Sequence, residues 1–330
     1  MTRGAAPVAG DAAARARWVE SLRAPGERVD PWSLRASFRE AERQAEGEVV
    51  PVLALLLAGA ECPWRCVFCD LWKGATRTRT PAGAIPAQVA AGIASSSGPV
   101  PARVLKLYNS GSWFDPSAVP PEDDPAVARL ARGFGRLVVE SHPALVRARA
   151  LRLRDLLGRT RLEVAMGLES ADAGLLARLG KRMTPASFAR AARFLRTRGV
   201  DVRAFVLVGP PFVPPGEAAV GKAVSSARFA FESGAQVVSL VAVRGGNGAM
   251  EELRNRGEWT PPRLEELEAA FAGALALGAG RVFADTWDLA PISRCPACLP
   301  GRRARLEAMN HAQSLLPITT CNACGGGSIP

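Results

Sequence analysis

The chain has 330 residues, 48% of them hydrophobic and 22% charged, and a formal net charge of +11. These are ordinary values for a globular protein long enough for one large α/β domain and an appendage. Seven cysteines, in groups of three and four, argue against a secreted disulfide framework and for a reducing compartment. The longest apolar run, residues 49–60, is 12 residues long, where a membrane span needs about 20. Residues 1–17 contain no apolar signal-peptide segment. The expected location is the cytoplasm, with no membrane association.

Residues 1–46 read as an Ala-rich leader with helices around 12–22 and 31–47, neither carrying chemistry. Residues 49–60 are apolar throughout and predict a fully buried strand. Directly after them, Glu61-Cys62-Pro63-Trp64-Arg65-Cys66-Val67-Phe68-Cys69-Asp70 places three cysteines at C-x3-C-x2-C spacing. Thiolates this close on an irregular loop can converge on one metal centre. A structural zinc site takes a closed set of four ligands, and no fourth cysteine or histidine lies near this triplet. An iron–sulfur cubane takes one cysteine per iron, so three ligands leave one iron open. An open, reactive cluster fits the triplet better than a closed structural site, the alternative being a chance triplet or half of a zinc site.

Beyond the loop, strand and helix alternate. Helices are expected over 84–95, 125–133, 144–157, 184–198, 217–234 and 263–277, and strands over 103–108, 136–139, 162–166, 202–208 and 236–243, with a possible seventh strand over 281–286. This order predicts βαβ units with right-handed crossovers and a parallel sheet, as a doubly wound fold or a partial barrel. Residues 147–203 hold 14 Lys or Arg against five Asp or Glu. That balance suits a phosphate backbone, and solvated helix faces give the same count.

Polar groups recur where the strands end, the edge at which barrel-type folds collect their active sites. They are the cysteine loop, Asn109-Ser110-Gly111-Ser112-Trp113, Glu140-Ser141-His142, Glu169-Ser170, Pro210-Pro211 and Arg244-Gly245-Gly246-Asn247. Gly245-Gly246-Asn247-Gly248 lacks the glycine order of a dinucleotide fingerprint. Near the C-terminus, Cys295-Pro296-Ala297-Cys298 and Cys321-Asn322-Ala323-Cys324 form two C-x2-C knuckles about 22 residues apart, around a short helix over 302–313. Four thiolates complete a structural zinc site, although a second iron–sulfur cluster would use the same ligands. His311 is read as a surface residue.

The cysteine spacing resembles that of the radical S-adenosylmethionine (radical SAM) enzymes. The resemblance implies a [4Fe-4S] cluster on Cys62, Cys66 and Cys69 whose open iron binds S-adenosylmethionine, with the aromatic Phe68 near the adenine. The motifs from Leu105 to Asp115, Glu140 to Pro143, Gly167 to Ser170 and Gly209 to Phe212 resemble, in the same order, the radical lyase subunit of archaeosine synthase. That family is related to the Elongator catalytic subunit and acts on tRNA. The likeness spans roughly residues 50–270 and implies a partial (β/α)6 radical SAM barrel. It also implies that Asn109, Ser110, Gly111 and Ser112 contact the methionine end of S-adenosylmethionine and that Glu169 lies near its ribose or carboxylate. Glu140 and Arg244 would meet cofactor or substrate, although a loop ion pair serves equally for Glu140. The loop is shorter between its first two cysteines than in those relatives, which points to a sister group.

The expected organisation is a helical leader over 1–48, a barrel over 49–290 and a four-cysteine metal tail over 291–330. The expected activity is hydrogen abstraction by a 5′-deoxyadenosyl radical, from a tRNA nucleoside or else from a small molecule or peptide. The resemblance brings an electron donor such as flavodoxin or ferredoxin, and room for a partner subunit. The competing reading is a non-catalytic, zinc-dependent nucleic-acid-binding protein using the knuckles.

Overall fold

The computed structural model describes residues 11–26, 28–96, 98 and 100–324. Among the described residues there are ten strands: β1 (Ala36–Arg43), β2 (Val49–Leu57), β3 (Gly59–Ala60), β4 (Ala75–Thr76), β5 (Val104–Asn109), β6 (Arg136–Glu140), β7 (Arg161–Glu169), β8 (Asp201–Val208), β9 (Val237–Ala242) and β10 (Arg281–Ala284). The helices are α1 (Ala12–Ser21), α2 (Ala84–Ser95), α3 (Asp124–Ala131), α4 (Ala148–Leu157), α5 (Ala173–Leu179), α6 (Pro185–Arg196), α7 (Glu217–Glu232), α8 (Ala249–Asn255), α9 (Leu264–Leu275) and α10 (Leu299–Ala312). None of the described helices is long and apolar enough to cross a membrane.

The eight-stranded sheet runs β1-β2-β5-β6-β7-β8-β9-β10, and every pair is parallel except β1 with β2. A doubly wound sheet reverses its strand order at a switch point, and this order never reverses, so the architecture is of the barrel type. Side chains alternate across each strand. Leu162, Val164, Met166 and Leu168 of β7, with Val202, Ala204, Val206 and Val208 of β8, enter the core under the helices. Arg203, Phe205 and Leu207 face the other way, into the concave side.

Contacts between distant strands show the curl. Glu42 on β1 meets Arg203 on β8 at 2.7 Å, five strands along in the sheet order. A flat sheet at about 4.8 Å per strand would hold them about 24 Å apart. Phe38 of β1 likewise packs on Trp287, just beyond β10, with ring centroids 4.3 Å apart. The result is a half-barrel with an open seam between β1 and β10.

Residues 31–47, expected helical, instead carry β1. Their charge pattern would suit an exposed helix, but tertiary pairing overrides local propensity. Gly47, at φ 91°, turns the chain and closes an antiparallel hairpin against the apolar β2. The strand period of two then sends Glu40 and Glu42 inward, where both reach Lys106, at 3.1 and 2.7 Å. The helix at 12–22 and the seventh parallel strand form as expected, as α1 and β10.

Helix α10 fills the seam. The Asn310 amide accepts from Ala284 N and donates to Ala284 O, at 2.8 and 2.9 Å. The Gln313 amide does the same for Val282, at 2.8 and 2.7 Å. On the other side His311 Nε2 lies 3.2 Å from Ala41 O, and Arg43 donates to His311 O at 3.0 Å. Two side-chain amides thus stand in for the missing neighbour strand of β10, covering an edge that would otherwise invite pairing. Within the segment expected to be the four-cysteine metal tail, α10 thus packs along both edges of the sheet.

Candidate active site

Strand β3 pairs with β4 and pinches residues 61–74 into a loop at the C-terminal end of β2. Cys62 N donates to Ser110 O at 3.4 Å and Val67 N to Leu179 O at 3.0 Å. The Asn247 amide donates to Val67 O and Cys69 O, at 2.8 and 3.2 Å. Val67 turns away into a second apolar cluster with Val19 of α1, Leu179 of α5 and Leu253 of α8. Cys69, two residues on, lies instead on the concave side of the sheet. The leader therefore helps to build the site: Glu20 and Glu61 hold Arg65 at 2.7 and 3.3 Å.

Two glycines make the close approach possible. A Cβ on Gly111 would sit 2.7 Å from both Ala60 O and the Ala118 Cβ. Gly180, left-handed at φ 75°, ends α5 and brings its carbonyl 3.8 Å from Cys66 Sγ.

Burial pushes all three thiols up, Cys66 to about 12, and Lys181 opposes this for Cys62 and Cys66. Lys181 is buried, holds Glu169 at 2.7 Å, and is kept protonated by Glu169 against the cost of its own burial. Glu169 needs a left-handed backbone, φ 63°, beside a register shift in β7. A Cβ at the neighbouring Gly167 would lie 2.1 Å from its Oε1.

Phe68, Cys69, Glu140, Glu169 and Arg244 all line one cavity of about 1110 Å³ on the concave face. Among the described residues the Glu140 carboxyl makes no hydrogen bond or ion pair, so the loop ion pair expected as its alternative role is absent. Burial, only partly offset by Lys181, raises its pKa to about 7. Arg244 is committed elsewhere: it binds Asp285 at 3.0 Å and donates to Trp287 O at 2.8 Å. Asn109, Ser110, Gly111 and Ser112 are buried beneath the cysteine loop, outside the cavity wall. Ser112 Oγ accepts from His142 N at 3.0 Å, whereas both amide atoms of Asn109 are buried without a partner. A buried amide in that condition costs about 1–3 kcal/mol, which a bound polar ligand would recover.

Lys181 was not singled out from the sequence, and Asn247 stood there only as the last residue of a polar strand-end stretch. Lys181 follows a short helix in a basic stretch, and nothing local marks it as the cation that faces the thiols.

Glu140→Gln tests the ionisation. A folded pKa raised above the unfolded value means that the native state holds the proton longer, so this group lowers stability as pH rises from about 4.5 to about 7. The variant is expected to gain stability over the native chain across that window and to hold a constant gain above it. Urea midpoints between pH 4 and 9 read this, and parallel profiles would refute it.

The four C-terminal cysteines differ from the loop. Their donor atoms all lie within 4.8 Å of one another, the only such set among the described residues, and Cys295 and Cys321 are 3.9 Å apart. Tetrahedral coordination at about 2.3 Å separates sulfurs by about 3.8 Å, so the group fits one metal ion. Cys62, Cys66 and Cys69 are not part of that set, although Cys62 raises the Cys66 thiol and both raise the Cys69 thiol.

No family model and no curated protein matches the chain. Among solved structures it is similar to the queuine lyase from Clostridium spiroforme bound to SAM and queuine, at 18% identity and TM-score 0.46, covering 67% of this chain and 88% of that one. It is also similar to methylornithine synthase, at 15% identity and TM-score 0.49, covering 69% of this chain and 63% of that one. The archaeal Methanocaldococcus infernus Elp3 matches at 15% identity and TM-score 0.48, over 77% of this chain and 63% of its own. The chain thus spans less than two thirds of the last two. A further similar structure, the coproporphyrinogen III oxidase HemN from Escherichia coli, is a radical SAM enzyme and matches at 13% identity and TM-score 0.46, over 69% of this chain and 52% of its own. At these TM-scores the likenesses assign no residue a role.

Proposed function

We propose that the protein is a radical SAM enzyme whose [4Fe-4S] cluster is held by Cys62, Cys66 and Cys69. The observation that carries this reading is the loop itself. Three half-buried thiols lie close enough to raise one another's pKa, Cys62 and Cys66 feel the buried cation of the Lys181–Glu169 pair, and Cys69 stands on the cavity wall. The cluster, once bound, would supply the electron that cleaves S-adenosylmethionine to a 5′-deoxyadenosyl radical, which takes hydrogen from the substrate. The chain's own residues orient and enclose. Lys181 compensates thiolate charge, Asn109 offers an unpaired amide to the cofactor, and α1 with α8 screens the loop from water. Glu140 presents a carboxyl that holds or gives up a proton near neutral pH.

For the substrate we propose a nucleoside in tRNA. This rests on the strand-end motifs shared with the radical lyase subunit of archaeosine synthase and on the basic middle of the chain. A flavodoxin or ferredoxin would deliver the electron, in the cytoplasm. At Cys295, Cys298, Cys321 and Cys324 we propose zinc, because the sulfur spacing suits a single ion.

Electron paramagnetic resonance on anaerobically reconstituted, dithionite-reduced protein tests the proposal. The expected result is a cubane signal that shifts on adding S-adenosylmethionine and is lost in Cys66→Ala. Protein that holds zinc but gives no cluster signal would sink the enzyme and favour a nucleic-acid-binding module.

A further inference from the structure

The surplus charge of this protein is gathered on one side. Residues 121–203 carry 17 Lys or Arg against nine Asp or Glu, so a quarter of the chain supplies +8 of the net +11. Burial sharpens the imbalance. Arg136, Arg149, Lys181 and Arg203 are buried with carboxylate partners. What remains on the surface of α3, α4, α6 and their flanking turns is arginine: Arg129, Arg132, Arg147, Arg152, Arg159, Arg182, Arg190 and Arg193 are all exposed. None has a side-chain partner among the described residues. Exposed carboxylates over the same stretch are Glu122 and Asp155, and Asp155 is taken by Arg154 at 2.6 Å.

These helices are neighbours. Helix α3 packs on α4, and Arg154 of α4 donates to Arg198 O in the turn after α6. The arginines therefore form one continuous face on the convex side, running from Arg147 and Arg182 at the cysteine-loop end to Arg159 at the opposite end. Helix α6 alone is about 18 Å long.

The chemistry of the face selects its partner. Among the described residues the exposed large apolar side chains are Trp32, Phe38, Val49, Leu71, Val100, Trp287, Leu315 and Ile318, and none lies on these helices. A membrane-surface helix would need apolar residues to insert. A protein partner would need aromatic or aliphatic anchors. Single-stranded nucleic acid is held by exposed aromatic platforms. A duplex backbone needs only cations in an array. We propose that the outer face of α3, α4 and α6 is a docking surface for the phosphate backbone of double-helical nucleic acid. This does not depend on the cluster, and it places the contact outside the barrel, away from the cavity.

The test is fluorescence anisotropy of the purified full chain with a labelled RNA duplex of about 20 base pairs, over a salt series. The combined variant Arg152→Glu, Arg159→Glu, Arg190→Glu, Arg193→Glu is expected to weaken binding at least about 100-fold at 0.1 M salt. It should also flatten the slope of log K against log salt by about 3 to 4, at about 0.9 per phosphate contact. The matching Arg→Gln set, which guards against misfolding, should lose most of the same slope. A control with equal charge change elsewhere, Arg28→Glu, Arg79→Glu, Arg228→Glu, Arg294→Glu, should keep it. An equal loss in the control would reduce the effect to net charge and overturn the surface. Competition by polyglutamate as strong as by RNA would reassign it to an acidic protein and overturn the nucleic-acid proposal. A DNA duplex binding as well as RNA would support a backbone contact.

Discussion

Glu163→Gln is expected to lower the stability of the fold by about 3–5 kcal/mol, the usual cost of removing one partner from a buried ion pair. Glu163 is 1% exposed and accepts from Arg203 Nε at 2.7 Å and from Arg136 Nη1 at 3.1 Å. Arg203 continues to Glu42 at 2.7 Å and Glu42 to Lys106 at 2.7 Å, while Arg136 reaches Asp201. The chain of charges thus crosses β1, β5, β6, β7 and β8 on the floor of the cavity. Burial alone would push the Arg203 and Lys106 cations toward neutrality, and their carboxylate partners hold them charged instead. Removing the Glu163 charge takes one carboxylate from each of two buried guanidiniums, leaving Arg203 with Glu42 and Arg136 with Asp201 in a site of low polarity. The loss should appear as a fall in the urea midpoint with an unchanged m-value. A fall of under about 1 kcal/mol would mean that water reaches this floor, because exposed pairs are worth about that much.

The same network shows where sequence reading succeeds and where it stops. Helix α2 was legible to the residue and the apolar strands to within a few, because strands buried on both sides announce themselves by composition. The cysteine groups were legible from spacing alone. Strand β1 was not. Ser37-Phe38-Arg39-Glu40-Ala41-Glu42 has the charges and propensities of a surface helix, and it becomes a strand because Glu40 and Glu42 meet Lys106 and Arg203, residues far away in the chain. Lys181 fails for the same reason: its meaning lies in facing Cys66 and Glu169 across the fold. The short helices α5 and α8 carry too few residues for a periodic pattern to stand out. Arg244, which the resemblance places against cofactor or substrate, lines the cavity while binding the Trp287 carbonyl and Asp285, both just beyond β10 and far away in the chain.

Stripping the metal from Cys295, Cys298, Cys321 and Cys324 is expected to loosen the barrel at a distance, along β10 and β1. Cys298 caps the N-terminus of α10, so the coordinated knuckle fixes the start of the helix that fills the seam. Arg302 anchors the same turn to α9 through Glu268 at 2.6 Å and Glu265. One turn or more further on, Asn310 and Gln313 satisfy the edge of β10, while Arg303, Glu307, Asn310 and His311 form part of the cavity wall. A structural zinc contributes about 10–16 kcal/mol of apparent binding free energy to such small modules, far more than four surface amide hydrogen bonds at about 1 kcal/mol each. Without the ion, the helix would be held by the amide ladder, Arg302, the His311 contacts to β1 and the buried Leu306 and Met309, with nothing fixing its first turn from the knuckles. Hydrogen exchange should therefore rise by about tenfold or more at the amides of Val282 and Ala284, which lie outside the knuckles, with a smaller rise over residues 36–43. Asn310→Ala with Gln313→Ala should raise exchange at the same two amides while the metal stays bound, which separates the ladder from the ion. If a chelator accelerates exchange only within residues 295–324, the knuckles stabilise themselves and nothing else. If both treatments act on β10, the C-terminal metal governs how tightly the cavity is closed.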